Sequence, residues 1–367
     1  MKNTFGNNVS ITLFGESHGQ EIGAVLDGLA PGIKVSEDLI KSQLTLRRPS
    51  GQISTARVEA DNFRIVSGVF NGYTTGSPIC ILIPNENTRS KDYSKTKDLA
   101  RPGHADYAAE CKYHGFQDYR GGGHFSGRIT AALVAAGAIA IDALRQKGIV
   151  IGTHISKLYS VSDRSFDEKN LLADLNALNS SEFAVLDEIK AEQMKNEILS
   201  ARSDCDSVGG VLESAIVGLP SGLGEPWFDT IEGLISHAMF SIPGIKGVEF
   251  GEGFNFANMR GSEANDQMEM LDGRVATKTN HNGGVNGGIT NGMAVVFKCA
   301  VKPTPSIFKT QSTVDMAKME NAEISLEGRH DPAIIHRARV VVDSMTALTL
   351  CDILAGRFGT DWLGEQR

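Results

Sequence analysis

Residues 129–146 read ITAALVAAGAIAIDALRQ. The stretch is rich in alanine and nearly apolar on all sides, so Ile129 to Gln146 is expected to be a helix buried within the protein. Lys147-Gly148 ends it. Short segments with a two-residue period lie around it. Pro78 to Ile83 is a short apolar strand, and Val150 to Leu158 alternates apolar and polar residues, as does Val9 to Phe14. Ser36 offers a cap for a helix from Glu37 to Leu46, which runs out at Arg47-Arg48-Pro49. Further along, Leu171 to Arg202 reads as a charged, exposed helix. Val208 to Leu219 and Gly247 to Phe256 read as strands, separated by a helix from Asp229 to Phe240, and Met293 to Val301 reads as another strand. Asp331-Pro332, a cap followed by proline at the first helical position, opens a last helix to about Gly356. Its apolar side carries Ile335, Val342, Met345 and Leu348. Asn85 to His104 and Lys302 to Arg329 read as long polar loops. This order lacks the strict alternation of a parallel α/β fold and any Pro-rich or Ser-rich linker. The expected class is therefore α+β, as one domain over residues 1–367.

Composition narrows the functions. Net charge is −8, which argues against a general nucleic-acid binder but not against a local basic pocket. Five cysteines are scattered, with no C-x-x-C. Zinc and redox motifs therefore have no support, and the expected compartment is the reducing cytoplasm. The first residues lack the apolar run of a signal peptide. No stretch of about 18 apolar residues is apparent, so no membrane span is expected.

Several Gly-rich runs could carry chemistry. Gly15-x-Ser17-x-Gly19 has the spacing of a nucleophile elbow, but the following Gly23, Gly28 and Pro31 make a poor helix, so a serine hydrolase is disfavoured. His18, held between glycines, could still titrate beside a ligand. Arg101-Pro102-Gly103-His104-Ala105-Asp106 closes the first polar loop and could face an anion. Tyr119-Arg120-Gly121-Gly122-Gly123-His124-Phe125-Ser126-Gly127-Arg128 runs straight into the apolar helix. Backbone N–H groups there would attract phosphate. Neither G-x-G-x-x-G nor a P-loop is present, so a dinucleotide Rossmann site is excluded.

Three runs follow: His281-Asn282-Gly283-Gly284-Val285-Asn286-Gly287-Gly288, Lys302-Pro303-Thr304-Pro305-Ser306, and Gly328-Arg329-His330-Asp331-Pro332. The order FGESHG, RRP, RPGHAD, YRGGG, NHNGGVNGG, KPT and GRHDP resembles the chorismate synthase family over about residues 5–358. The resemblance implies a β-α-β sandwich, usually a homotetramer, that uses reduced FMN to eliminate phosphate from 5-enolpyruvylshikimate 3-phosphate. It implies that His18 and His104 act as acids, with Ser17 and Ser126 near flavin and substrate and Asp331 also catalytic. Flavin contacts would be His124, Phe125, Ser126, Gly287, Lys302, Pro303, Thr304, Pro305, Ser306 and Arg329. Arg47 matches a family residue for substrate or NADPH, the latter as a possible reductant; Arg48, Arg101, Arg128 and Arg337, in or beside these runs, are available to bind the same anions. The chain departs from the common pattern at His124-Phe125, where an arginine and a serine are usual, at Ile53, and at Pro243-Gly244. Arg128 could replace some of the charge lost at His124. The other class considered is a flavin- or phosphate-binding protein without activity. Both polar loops, bounded by site residues, are expected to act as lids.

Overall fold

The alternating segments form two five-stranded antiparallel sheets in a computed structural model that describes residues 2–49, 51–55, 60–86, 97–326 and 331–364. The first sheet runs in the spatial order Thr4–Phe5, Ser10–Gly15, Glu21–Asp27, Ile79–Pro84, Arg64–Ser67. The second runs Ile245–Phe250, Val295–Val301, Gly210–Val217, Val150–Leu158, Val161–Ser162. Two long helices, Thr130–Gln146 and Ile335–Phe358, pack on each other. The first helix meets strands Glu21–Asp27 and Ile79–Pro84, and the second meets Val150–Leu158 and Gly210–Val217. The helix pair thus forms the middle layer of a β-α-β arrangement. Ile22, Ala24, Ile81, Ile83, Ile155, Leu212 and Phe297 are buried against this layer in one apolar cluster.

The helices approach closely because Gly137 has no side chain. A Cβ there would lie 2.3 Å from the Ser344 Cβ and 2.7 Å from its Cα. Thr130–Gln146 is buried almost throughout, as its composition requires. Contrary to the sequence expectation, Gly127–Gln146 is long and apolar enough to cross a membrane by length and composition. The window is 83% buried inside the protein, so burial between the sheets accounts for its character. Ile335–Phe358 is buried around most of its circumference, rather than along one apolar side.

Several segment boundaries differ from the sequence reading. Residues 171–202 form two helices, Leu171–Ser180 and Glu188–Ser203. Between them the chain dips inward, and the Ala184 carbonyl accepts from the Ile155 N–H at 2.8 Å. The second polar loop contains a hairpin, Gln311–Asp315 paired with Glu320–Ile324. Its strand closes on the first polar loop through Ala100 N–H to the Val314 carbonyl (3.3 Å) and Met316 N–H to the Asp98 carbonyl (2.8 Å). The strand expected to reach Phe256 stops at Phe250, where Gly251 and Gly253 take positive φ. The helix expected from Asp229 begins at Ile231, capped by the Thr230 hydroxyl. Asp331 does not cap the last helix, which begins at Ile335. Its carboxylate accepts from Thr55 N–H at 2.8 Å and pairs with Arg337.

Candidate active site

The three consecutive glycines Gly121, Gly122 and Gly123 all have positive φ, at 60°, 88° and 53°. This sequence of left-handed conformations is open to glycine and strained for other residues. It folds the chain back ahead of a short 3₁₀ turn, Gly127–Ile129, that leads into Thr130–Gln146. The fold then brings the His18 turn onto it. Ser17 N–H donates to the Gly123 carbonyl at 3.1 Å, and the Ser17 hydroxyl donates to the Arg120 carbonyl at 3.1 Å. The His18 ring lies so close that a Cβ on Gly121 would be 2.3 Å from its Cε1. The neighbouring Gly122 faces His104: a Cβ there would be 3.1 Å from the His104 Cε1. Two histidines far apart in sequence therefore flank adjacent glycines of one run.

His18 and Ser17 are buried, so this is not a surface turn. Ser10–Gly15 and Glu21–Asp27 flank it as paired antiparallel strands. A nucleophile elbow needs a helix after the serine. The local structure therefore excludes the hydrolase reading of Gly15-x-Ser17-x-Gly19.

His104 is held by charge. The Asp106 carboxylate accepts from Arg101 Nε (2.7 Å), Arg101 Nη2 (2.7 Å) and His104 Nδ1 (2.8 Å). Burial alone would raise the Asp106 pKa. The hydrogen bonds and charges of Arg101 and His104 outweigh burial and hold the carboxyl well below the usual carboxylate range. His124 donates from Nδ1 to the Gly15 carbonyl at 2.8 Å, since a carbonyl can only accept. This bond ties the glycine run to the His18 turn a second time.

Asp61 organises the arginines. Arg128 Nη1 pairs with it, Arg48 Nε lies 3.4 Å from it and Arg47 Nη1 3.7 Å. Arg128 also reaches the Asn85 side chain (3.0 Å) and the Pro84 carbonyl (3.1 Å). Arg47 donates to the Gly127 carbonyl at 2.8 Å, and Arg337 donates to the Arg47 carbonyl at 2.9 Å.

These groups border a cavity of about 900 Å³. Its wall includes His104, Gly121, His124, Phe125, Ser126, Lys302, Pro303, Thr304, Pro305, Ser306 and Asp331. Seven cationic residues line it: Lys2, Arg47, Arg101, Arg128, Lys246, Lys302 and Arg337. Asp331 is the one acid among the described lining residues. In a chain of net charge −8, this concentration of positive charge marks an anion site. Thr55 and Thr304 also line it, and their buried hydroxyls have no hydrogen-bond partner among the described residues. Buried hydroxyls rarely stay unpaired, so these two suit a polar ligand. No cluster of metal-ligating side chains occurs among the described residues.

Most candidates from the sequence meet here. His18 and Ser17 do not line the cavity but contact Gly121, which does. Arg48 does not line it; it lies beside Asp61, which pairs with the lining residues Arg47 and Arg128. Gly287 lies apart from it, in the turn between Val285–Asn286 and Ile289–Thr290. Arg329 lies outside the described residues, as do parts of both polar loops. The sequence reading missed Thr55, Asp61 and Asp106.

The family profile of chorismate synthase matches residues 9–355. A chorismate synthase of Pyrococcus abyssi is 47% identical over 352 residues, covering 96% of this chain and 97% of that protein. A chorismate synthase of Korarchaeum cryptofilum is 44% identical, covering 95% and 96%. One from Dehalococcoides mccartyi is 42% identical, covering 96% of each. A crystal structure of chorismate synthase superposes with a TM-score of 0.76 at 30% identity, covering 97% of this chain and 94% of that one.

Proposed function

The chain belongs to the chorismate synthase family, whose members eliminate phosphate from 5-enolpyruvylshikimate 3-phosphate to give chorismate, and on that premise we propose that the basic cavity holds both the substrate and reduced FMN. The cation-rich wall carries this reading. The substrate bears two carboxylates and a phosphate, and guanidinium forks bind such groups bidentately. Arg47, Arg48, Arg101, Arg128 and Arg337 are assigned to these anions.

The wall also suits a flavin phosphate. Lys302 to Ser306, Ser126, His124 and Phe125 are assigned to FMN, with Thr55 and Thr304 offering hydroxyls. Arg329 and Gly287 are assigned by resemblance alone. When bound, the reduced flavin supplies electron density that the elimination borrows and returns. The chain's residues do the rest. Guanidinium charge stabilises the departing phosphate dianion. In its charged form His104, clamped at Nδ1 by Asp106, donates the Nε2 proton on the substrate side. His18, with Ser17 beside it, holds the protonation state of the flavin side. Phe125 and the apolar floor of Ile129, Leu133, Val341 and Met345 keep water out.

The lack of a Rossmann fingerprint favours outside reduction over a built-in NADPH site. We further assign the chain a single domain, a homotetrameric assembly and the cytoplasm. The test is phosphate release from the substrate under nitrogen, with reduced and with oxidised FMN. Release with reduced FMN alone supports the reading. Release without flavin, or none with either, overturns it. A protein that bound FMN and released no phosphate would be a flavin-binding protein instead.

A further inference from the structure

We propose that Asp106 is a positioning residue of this site: gripped by Arg101, it locks His104 in the Nδ1–H tautomer and reserves Nε2 for the ligand. The inference rests on the family reading for the importance of His104, but its geometry stands alone.

The carboxylate divides its acceptors. Oδ2 takes the Arg101 backbone N–H at 3.0 Å and Arg101 Nε at 2.7 Å. Oδ1 takes Arg101 Nη2 at 2.7 Å and His104 Nδ1 at 2.8 Å. Ionised, Asp106 has no proton to give, so Nδ1 must be the donor. Arg101 Nη2 comes within 3.1 Å of Nδ1. An arginine cannot accept either, so these are two donors, tolerable side by side because both address one oxygen. The triad is mostly enclosed, with side-chain exposures of 12%, 18% and 21% for Arg101, His104 and Asp106. His104 is on the cavity wall, so its remaining nitrogen, Nε2, is the one a ligand can use. Asp106 touches His104 rather than the cavity, and acts through it.

Asp106→Asn separates positioning from bulk. Placed at Oδ2, the amide oxygen still serves Arg101 Nε and the Arg101 backbone N–H, at the cost of the bond from Arg101 Nη2 to Oδ1. The amide NH₂ then takes the Oδ1 place and donates to His104 Nδ1, which moves the ring proton to Nε2. The experiment is ¹⁵N spectroscopy of histidine-labelled protein at a pH where the ring is neutral, with His104 identified by its loss in His104→Gln. The expected result is Nδ1–H in the wild type and Nε2–H in Asp106→Asn. Turnover should fall by about 10²–10⁴-fold, as for other misheld acid–base histidines, while KM for the substrate stays close to wild type. A wild-type His104 protonated on Nε2 overturns the proposal without any variant. So does a flipped tautomer with wild-type turnover in the variant, or a raised KM with unchanged kcat. If the wild type fails to release phosphate, the family reading fails, and the tautomer comparison still decides the role of Asp106.

Discussion

Gly121→Ala tests whether His18 works from the place the fold gives it. The added Cβ would stand 2.3 Å from His18 Cε1, 2.4 Å from Nδ1 and 2.7 Å from the Ser17 hydroxyl. Carbon atoms in contact sit about 3.5–4.0 Å apart, so the ring must retreat by roughly 1.2 Å. The obstacle is side chain rather than backbone, so the ring moves and the fold remains. The φ of 60° at Gly121 adds strain of about 1–2 kcal/mol for any L-residue. Misplacement of a reacting group by about 1 Å can cost about 10²-fold in rate, and a loss of that order is expected. Gly72→Ala is the matched control: φ is 78° and nothing lies within 4 Å of its Cβ, so it carries the same strain with no collision. Phosphate release under nitrogen and urea unfolding are measured for both. Similar destabilisation, with turnover lost only in Gly121→Ala, is the expected result. Equal turnover in the two variants would refute the placement of His18.

Other consequences follow from the same geometry. His18→Ala and His104→Ala should each lower turnover by about 10²–10⁴-fold while unfolding at wild-type urea concentrations; two variants with wild-type turnover at neutral pH would remove the assignment. Residues 97–104 and the hairpin Gln311–Asp315 with Glu320–Ile324 are joined by hydrogen bonds. Their amide exchange should slow together when FMN and substrate bind, and equal protection with and without ligands would mark them as fixed walls. His154 lies buried between Asp163 (2.8 Å) and Glu213 (2.8 Å). Burial lowers its pKa, but the two carboxylates prevail and raise it, while Asp163 is lowered. The His154 contribution is full below about pH 6.5 and fades as pH rises through the raised value. The Asp163 contribution is lost only as pH falls toward its lowered value. Asp163→Asn should therefore cost on the order of 3–5 kcal/mol near pH 6 and less in alkali; an equal cost at both, by urea unfolding, would contradict the pairing.

The buried helix was legible because its apolar residues cover every face, a pattern that needs no knowledge of its neighbours. The histidine turns were legible because a glycine adjoins each histidine, Gly19 after His18 and Gly103 before His104. Asp61 was not, because its meaning comes from Arg128, 67 positions away, and no local period records such a pair. Asp106 stood inside a quoted motif, yet its bond to His104 depends on a turn that sequence does not draw. The hairpin at Gln311–Asp315 escaped because both strands are polar and largely exposed, so alternation carries no hydrophobic signal. The break between Leu171–Ser180 and Glu188–Ser203 escaped because no glycine or proline marks it; burial of Ala184 and the bond from the Ile155 N–H to its carbonyl hold it. Gly287 shows the opposite case, a motif residue plain in sequence that this chain's fold places away from the cavity.

The central claim is that this cavity eliminates phosphate from an anionic substrate with reduced flavin as an unconsumed participant. The most direct measurement is an anaerobic time course of chorismate and inorganic phosphate, with FMN chemically reduced beforehand and its spectrum followed. The account predicts equal amounts of both products over many turnovers, flavin still reduced at the end, and no product with oxidised FMN alone. Product formed with oxidised flavin, or one flavin oxidised for each chorismate made, would contradict it.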